Sequence, residues 1–420
     1  MKTNNDIITH KFGGSSLAST DCYQRLLNNV KSMGANDWII VSASGKTTNS
    51  LKSLYDLAGS FNEQALRMLE ELKQYHQKLI KALTSEHQKS LLNALEQDLI
   101  ELKEKVEQSH HQKPHTDEFL YYGEVWSARL LTAFLSEQQF AVTFINAADI
   151  LVLKGECVDI EASLQNLTSS QLMQQQGLKV VTGYIAADVE GNICTLGRNG
   201  SDYSASLFAR LTHAQRVQFW TDVNGVYSAD PGRVDNAQLL PFLNWNVAHC
   251  LAKAGSPILH HKTLQPLAEV DCDVVVRSSF HPEQQGTRVM KSFRDELPLL
   301  STAMGFGLVH QPDLAVEPLH LAFELTPSLK LIYPEYVECY ENAKHSIARV
   351  NLVMVCNSHQ KTAELIEQQK IHKLFHLHLN AQVELIVTNS SISQKQIKNI
   401  HDTLLEEHAC LGYDVLDFVV

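Results

Sequence analysis

The chain has 420 residues, 44% hydrophobic and 20% charged, the composition of a globular protein large enough for two or three domains. Its formal net charge of −12 opposes a nucleic-acid partner, because phosphate backbones select basic surfaces, but leaves room for small anions in a locally positive cleft. Eight cysteines without a C-x-x-C pair argue against a zinc site or a disulfide framework, and no run approaches the ~20 apolar residues of a membrane helix. Met1–His10 lacks the apolar stretch of a signal peptide, so the expected setting is the cytoplasm, with no membrane partner.

Ile7–Phe12 alternates and breaks at Gly13-Gly14, and Cys22–Lys31 carries Leu26, Leu27 and Val30 at helical spacing. Trp38–Val41 is a short continuous apolar run, as a strand buried in a parallel sheet requires. Asn62–Gln108 is charged and helical in period. Leu66, Leu69, Leu72, Leu79, Ile80 and Leu83 mark one face, and Leu91, Leu92, Leu95, Leu99 and Leu102 a second. A break at Thr84-Ser85 predicts two packed helices that cover the sheet rather than project as a coiled-coil arm.

A helix at Val125–Glu137 and strands at Ala141–Ile145, Leu178–Thr182 and Ile193–Leu196 follow. Then come a helix (Ser204–Leu211), a strand (Val217–Trp220), a helix (His249–Ala254) and a strand (Asp273–Arg277). Such alternation predicts an α/β fold, a three-layer sandwich around a mostly parallel sheet. Near Ser292–Pro298 the texture changes. Strands are expected at Leu319–Leu325, Ile347–Val355, Val383–Val387 and Val415–Val420, with helices at Lys361–Gln369 and Gln394–His408. These make a smaller α+β module whose strand–helix pattern suggests duplication. The predicted domains are 1–295, with a helical insert at about 62–110, and 296–420.

Twenty histidines raise the question of a metal. The pairs His110-His111 and His260-His261 would point about 100° apart on a helix, which suits a shared ion poorly. His372 and His376 are four apart, with His378 beside them, but no Glu or Cys completes a familiar site. They are read as solvated or core histidines, and no protein-held metal is expected.

Four segments carry chemistry. Lys11-Phe12-Gly13-Gly14-Ser15-Ser16 stands between a strand and a helix, where paired glycines let backbone N–H groups approach phosphate and the helix dipole favours an anion. Lys11 there suits charge developing on a transferred phosphoryl group; an ordinary tight turn would look the same. Ser42-Ala43-Ser44-Gly45-Lys46-Thr47-Thr48 imitates a Walker A ending, but the first glycine would fall on Ile40, inside the strand. Its hydroxyls (Ser42, Ser44, Thr48) suit ligand contact or simple capping. In Gly197-Arg198-Asn199-Gly200-Ser201-Asp202-Tyr203-Ser204, Arg198 offers a planar fork for a carboxylate, and Asp202 suits either a helix cap or a catalytic lysine's partner. Thr221-Asp222-Val223-Asn224-Gly225-Val226-Tyr227-Ser228-Ala229-Asp230-Pro231 is a turn-rich loop after a strand, of a kind that wraps a nucleotide.

In this order and spacing, across roughly residues 7–290, these segments resemble aspartokinases of the amino-acid-kinase superfamily. Gly123-Glu124-Val125-Trp126-Ser127-Ala128-Arg129 and His260-His261-Lys262-Thr263-Leu264-Gln265-Pro266 are similar to the kinase half of the methionine-branch bifunctional aspartokinase/homoserine dehydrogenases. The resemblance implies ATP and L-aspartate as substrates, 4-phospho-L-aspartate and ADP as products, and Mg2+ held mainly through the phosphates. It further implies catalytic roles for Lys11 and Asp202, and substrate contacts from Ser44, Thr48, Glu124, Arg198 and Ser201. ATP contacts would come from Lys11, Gly13, Gly14, Ser15, Thr221, Asp222, Tyr227 and Arg233. The substrate β-carboxylate is already a nucleophile at neutral pH, so positioning and charge neutralisation suffice.

Three features depart from the pattern. Gly255-Ser256-Pro257-Ile258-Leu259-His260 stands where many aspartokinases carry Gly-Ala-Lys-Val-Leu-His, Gly232 displaces Arg233 by one, and no G-x-G-x-x-G follows a strand, so a kinase without the dehydrogenase is expected. Residues 300–420 occupy the place of the family's paired ACT modules, implying a homodimer through that region with weak or no feedback by lysine or threonine. A catalytically weakened regulatory subunit, or a kinase for another acidic amino acid such as glutamate, are the alternative readings.

Overall fold

Four consecutive apolar residues can only be hidden by covering both faces of their strand, and Trp38–Val41 is buried at every position. The computed structural model describes residues 7–57, 63–108, 115–256, 258–291, 299–310, 316, 321–326, 329–342, 347–356, 362–380, 382–389 and 391–410. The chain divides into two compact units, Met1–Asn224 with Gln265–Gln284, and Gly225–Leu264 with Gln285–Val420. These packing units do not follow the boundary expected near residue 295, which itself lies outside the described residues. Ala229 and Val234 belong to the second unit because they share a hydrophobic core with Leu300, Val353 and Ile386.

The first unit is built on parallel strands β1 (Ile8–Phe12), β2 (Trp38–Val41), β3 (Val142–Ile145), β4 (Leu178–Thr182), β5 (Arg216–Thr221) and β6 (Asp273–Ser278). Their spatial order is β6-β5-β1-β2-β4-β3. The winding direction reverses at β1, so the loops leaving β1 and its neighbours open a crevice at the strands' C-terminal ends. Ile193–Thr195 is a strand as expected, but it belongs to a separate mixed sheet with Cys157–Asp159, Val152–Lys154 and Ile185–Asp188.

The helices of this unit are α1 (Thr20–Val30), α2 (Thr47–Asp56), α3 (Glu63–Leu83), α4 (Gln88–Gln108), α5 (Asp117–Glu137), α6 (Ile160–Ser169) and α7 (Gly200–Leu211). The insert is the predicted pair, α3 and α4. Leu69, Leu72, Leu79, Ile80, Leu83, Leu95, Leu99 and Leu102 join one core with Phe12, Ile39 and Val41, so it covers the sheet and is no free arm. The turn between α3 and α4 is tied to α5. Glu137, at the end of α5, accepts from the backbone N–H groups of Ser85 and His87 at 2.8 and 2.9 Å. These bonds hold its carboxyl down at about 2, against the opposing effect of burial.

α5 begins eight residues before the expected Val125, running straight through Gly123. Glycine costs a helix interior about 1 kcal/mol relative to alanine, so it reads as a break. Here the missing side chain makes room: a Cβ on Gly123 would lie 3.0 Å from the Ala43 Cβ and 3.2 Å from Leu51. Helix α5 therefore packs directly against α2 and the loop after β2.

The second unit holds an antiparallel sheet of β7 (Leu299–His310), β8 (Leu321–Thr326), β9 (Leu329–Ile332), β10 (Ile347–Cys356), β11 (Lys373–His378) and β12 (Val383–Thr388), in the order β8-β9-β7-β10-β12-β11. Helices Thr362–Gln368 and Gln394–Cys410 contribute Leu365, Ile366, Ile397, Ile400 and Leu404 to its core. A short parallel pair, Phe242–Asn244 with Thr287–Met290, and the helix Trp245–Lys253 complete it. The α+β character is as expected. The expected strand Val415–Val420 lies outside the described residues. His372, His376 and His378, considered above on helical spacing, are instead at or beside a strand, which puts His376 and His378 on one face.

Candidate active site

Lys11 is the penultimate residue of β1, opposite Ile40 of β2 and Phe219 of β5, and so stands at the mouth of the crevice. After it the chain turns tightly into the short helical turn Gly14–Leu17. Gly14 is required by crowding. A Cβ there would come 2.7 Å from the Ala43 carbonyl oxygen, and the Gly45 N–H donates to the Gly14 carbonyl at 2.9 Å. The loops after β1 and β2 thus lie directly on one another. At Gly13 a Cβ would sit 3.5 Å from the Lys11 ammonium, and Ser15 is exposed.

Asp202 comes to Lys11 from the other side, Nζ to Oδ1 2.6 Å, with the lysine 13% and the aspartate 26% exposed. The cap of α7 is Asn199, in the left-handed region at φ 56°, so Asp202 lies inside the first turn and its carboxylate is free to pair with Lys11. Asp202 is thus paired with Lys11 and is not the cap of the helix. A carboxylate in a helix's first turn is also favoured by the dipole. Ser201 is half-buried beside it, while Arg198 is exposed on the loop leading into α7.

Glu124 points from the middle of α5 and is 2% exposed. The Ala43 N–H donates to it, but its Oε2 is buried with no hydrogen-bond partner. Burial raises its carboxyl to about 8, only partly offset by the Ala43 bond and the Lys11 charge. A buried carboxylate oxygen without a partner is costly, and a cation is the species that would relieve it.

The loop after β2 is braced from behind by residues that sequence reading missed. Ser44 is fully buried, 3.3 Å from the Tyr23 hydroxyl. The Thr47 hydroxyl donates to the Ser44 carbonyl at 2.7 Å and lies 3.0 Å from Nε2 of His76 on α3. Since Thr47 has one proton and gives it to the Ser44 carbonyl, His76 carries a proton on Nε2 and is the donor to Thr47. Burial lowers its pKa to about 3. His76 falls on the same helical stripe as Leu69, Leu72 and Leu79, which is the signal that marks it as interior. Thr48 is half-buried in the first turn of α2, and Lys46 is exposed, unlike a phosphate-binding P-loop lysine.

Thr221 ends β5, its hydroxyl donating to the exposed Asp222 at 3.1 Å. Ser16 donates to Ser279 at 2.8 Å, and Ser279 donates to the Thr221 carbonyl at 3.1 Å. This hydroxyl relay, also unforeseen, fixes the β1 turn to the ends of β5 and β6. Tyr227 and Arg233 fall in the second unit. There two guanidinium nitrogens of Arg233 donate to the Thr302 hydroxyl and the Ile392 carbonyl, at 3.0 and 3.2 Å. Pro257 lies outside the described residues.

The first unit thus brings together a glycine turn, a lysine–aspartate pair and a buried, unsatisfied carboxylate at the C-terminal ends of its parallel strands. The sequence profile of the amino acid kinase family matches residues 6–278. The chain belongs to the amino acid kinase family. Among amino acid kinases it is 37% identical to the bifunctional aspartokinase/homoserine dehydrogenase 2 of Escherichia coli over 285 residues, 67% of this chain and 35% of that protein. Lysine-sensitive aspartokinase 3 of Escherichia coli is 30% identical over 295 residues, 68% of this chain and 64% of that protein. The match therefore spans about a third to a half of the length of the bifunctional relatives. The solved structure of Escherichia coli aspartokinase III with aspartate and ADP shares its fold, with a TM-score of 0.81 at 21% identity over 95% of this chain and 100% of that one. Clostridium acetobutylicum aspartate kinase does so with a TM-score of 0.71 at 17% identity, over 94% and 100% of the two chains. Among the described residues no helix is long and apolar enough to cross a membrane.

Proposed function

We propose that this amino acid kinase transfers the γ-phosphoryl group of ATP to the β-carboxylate of L-aspartate, giving 4-phospho-L-aspartate and ADP, the first step towards lysine, methionine and threonine. The observation that carries the reading is Glu124, whose buried Oε2 lacks a partner beside the Lys11–Asp202 pair. An α-amino acid brings an ammonium group for that oxygen. Arg198, half-buried Thr48 and Ser201, and the braced Ser44 loop complete the substrate side of the proposal.

In this scheme the backbone of Gly13–Ser15 approaches the phosphates, and Lys11 meets the charge that builds on the transferred phosphoryl group. Asp202 holds the ammonium in place. The carboxylate of the substrate attacks phosphorus, the bond to the ADP oxygen breaks, and no proton need move, so holding the reactants in line is the main task of the chain. Thr221 and Asp222 are assigned to the nucleotide.

Among the described residues, the groups of His, Cys, Asp or Glu close enough to share an ion lie in the second unit. Magnesium, which binds through phosphates and retained waters, would accordingly arrive on the nucleotide and neutralise its charge. The C-terminal antiparallel module is assigned to homodimer formation, in a cytoplasmic enzyme. Calorimetry showing tight lysine or threonine binding would overturn the accompanying expectation of weak feedback.

The substrate assignment is tested by ADP release with aspartate, glutamate, succinate or no acceptor. Aspartate should be preferred, and succinate, which lacks the ammonium group, should be poor. Equal rates with succinate would remove the role given to Glu124, and a preference for glutamate would replace the substrate.

A further inference from the structure

Strand β11 reads Lys373-Leu374-Phe375-His376-Leu377-His378, and its period of two sets His376 and His378 on the same face. In the antiparallel pairing with β12, His378 is directly opposite Glu384. The three side chains converge: Nε2 of His376 is 2.6 Å from Oε2 of Glu384, the two imidazole centroids are 5.2 Å apart, and one ligand atom from each residue lies within 4.8 Å of the others. The second oxygen of Glu384 is also held, accepting from the Thr362 hydroxyl at 3.0 Å. Glu384 and Thr362 are buried, His376 is half-buried and His378 is exposed, so the group is anchored at its base and open to solvent at its mouth.

We propose that His376, His378 and Glu384 form a site for one divalent transition-metal ion, with zinc as the best fit. Two imidazoles and a carboxylate are a recurrent zinc ligand set that leaves positions for water. Imidazole donors select zinc, nickel, copper or iron over magnesium and calcium. The Thr362 hydroxyl supplies the outer hydrogen bond that fixes a ligating carboxylate. Binding displaces the proton now shared by His376 and Glu384. It also widens their contact to about 3.3 Å, as two ligands at ~2.0–2.1 Å on a tetrahedral ion require, a change within the reach of side-chain torsions.

The alternative cluster, His260, His261 and Glu335, is less suited. Its central imidazole is stacked on Tyr333 at a centroid distance of 3.9 Å, and the charges of Lys253 and Lys262 act on it. Lys373, at the start of β11, is instead paired with Glu367 at 3.0 Å. An ion at the β11 site joins the edge strand to β12 and, through Glu384 and Thr362, to the preceding helix Thr362–Gln368. It would stiffen that edge of the module.

The test is competition between a chromophoric zinc chelator and the full chain, stripped beforehand with EDTA. One tightly bound zinc per chain is expected, unaffected by excess magnesium. His378→Ala, which removes an exposed side chain, and Glu384→Gln should each weaken it at least ~10-fold, while His260→Ala should leave it unchanged. Zinc should also raise the thermal midpoint of the wild type but not of His378→Ala. No tight zinc in the wild type, or tight zinc indifferent to His378→Ala, would overturn the proposal, as would loss of the ion in His260→Ala alone.

Discussion

Glu124 is kept where a carboxylate is expensive, 2% exposed and with one oxygen unpaired, and burial accordingly raises its pKa to about 8. In the free protein at neutral pH it is mostly protonated. An ammonium ion placed against it favours the charged form, so amino-acid binding near pH 7 should expel most of a proton. Calorimetry in buffers of different ionisation enthalpy measures that release, and Glu124→Gln should abolish it. The same variant should raise the KM for aspartate roughly 30- to 100-fold with little change for ATP, the loss of one charge-assisted hydrogen bond. A large effect on ATP alone would place Glu124 elsewhere in the reaction. Lys11→Ala should lower kcat by about two to three orders of magnitude while the protein stays folded, because the abandoned Asp202 is 26% exposed and can be hydrated. Unchanged circular dichroism with a lost rate is the expected pair of results.

At the scale of elements, the site depends on the helical insert. His76 of α3 donates to Thr47, Thr47 donates to the Ser44 carbonyl, and the Ser44 side chain meets Tyr23 of α1. The imidazole is buried neutral, with a pKa of about 3 against an ordinary 6.5. The sign follows from the depressed value. The unfolded chain takes up the proton first, so stability due to the neutral imidazole is full above pH 6.5 and falls as pH drops towards 3. His76→Gln, which keeps a donor for Thr47, should flatten the acid limb of a denaturant-midpoint profile over that range. An acid limb as steep as the wild type's would show that another group titrates there.

These elements also mark what was legible in the chain. Lys11, the two glycines and Asp202 are readable because a strand end, a tight turn and a helix start are local events with local composition. The helical insert was readable from its leucine stripes. Tyr23, His76 and the Ser16–Ser279 bond were not, since their meaning lies in contacts 21 to 263 residues apart in sequence. Gly123 misled in the usual direction, because helix propensity counts the missing side chain as a loss when close packing makes it a gain. The histidines of β11 lie on a strand and not on the helical period their spacing suggests, and strand pairing alone brings Glu384 beside them.

At the scale of the whole molecule, the two units carry different work. The first holds the lysine–aspartate pair and Glu124 on a parallel sheet. The second is a mainly antiparallel module whose core also takes in Ala229 and Val234, residues that composition alone assigned to the kinase domain. The central claim is that a carboxylate of aspartate becomes an acyl phosphate. It is tested most directly by trapping the product with hydroxylamine during turnover of the full chain with ATP, magnesium and aspartate. The account predicts aspartyl hydroxamate in step with ADP and little from glutamate; ADP formed without hydroxamate, or hydroxamate from glutamate at a comparable rate, would contradict it.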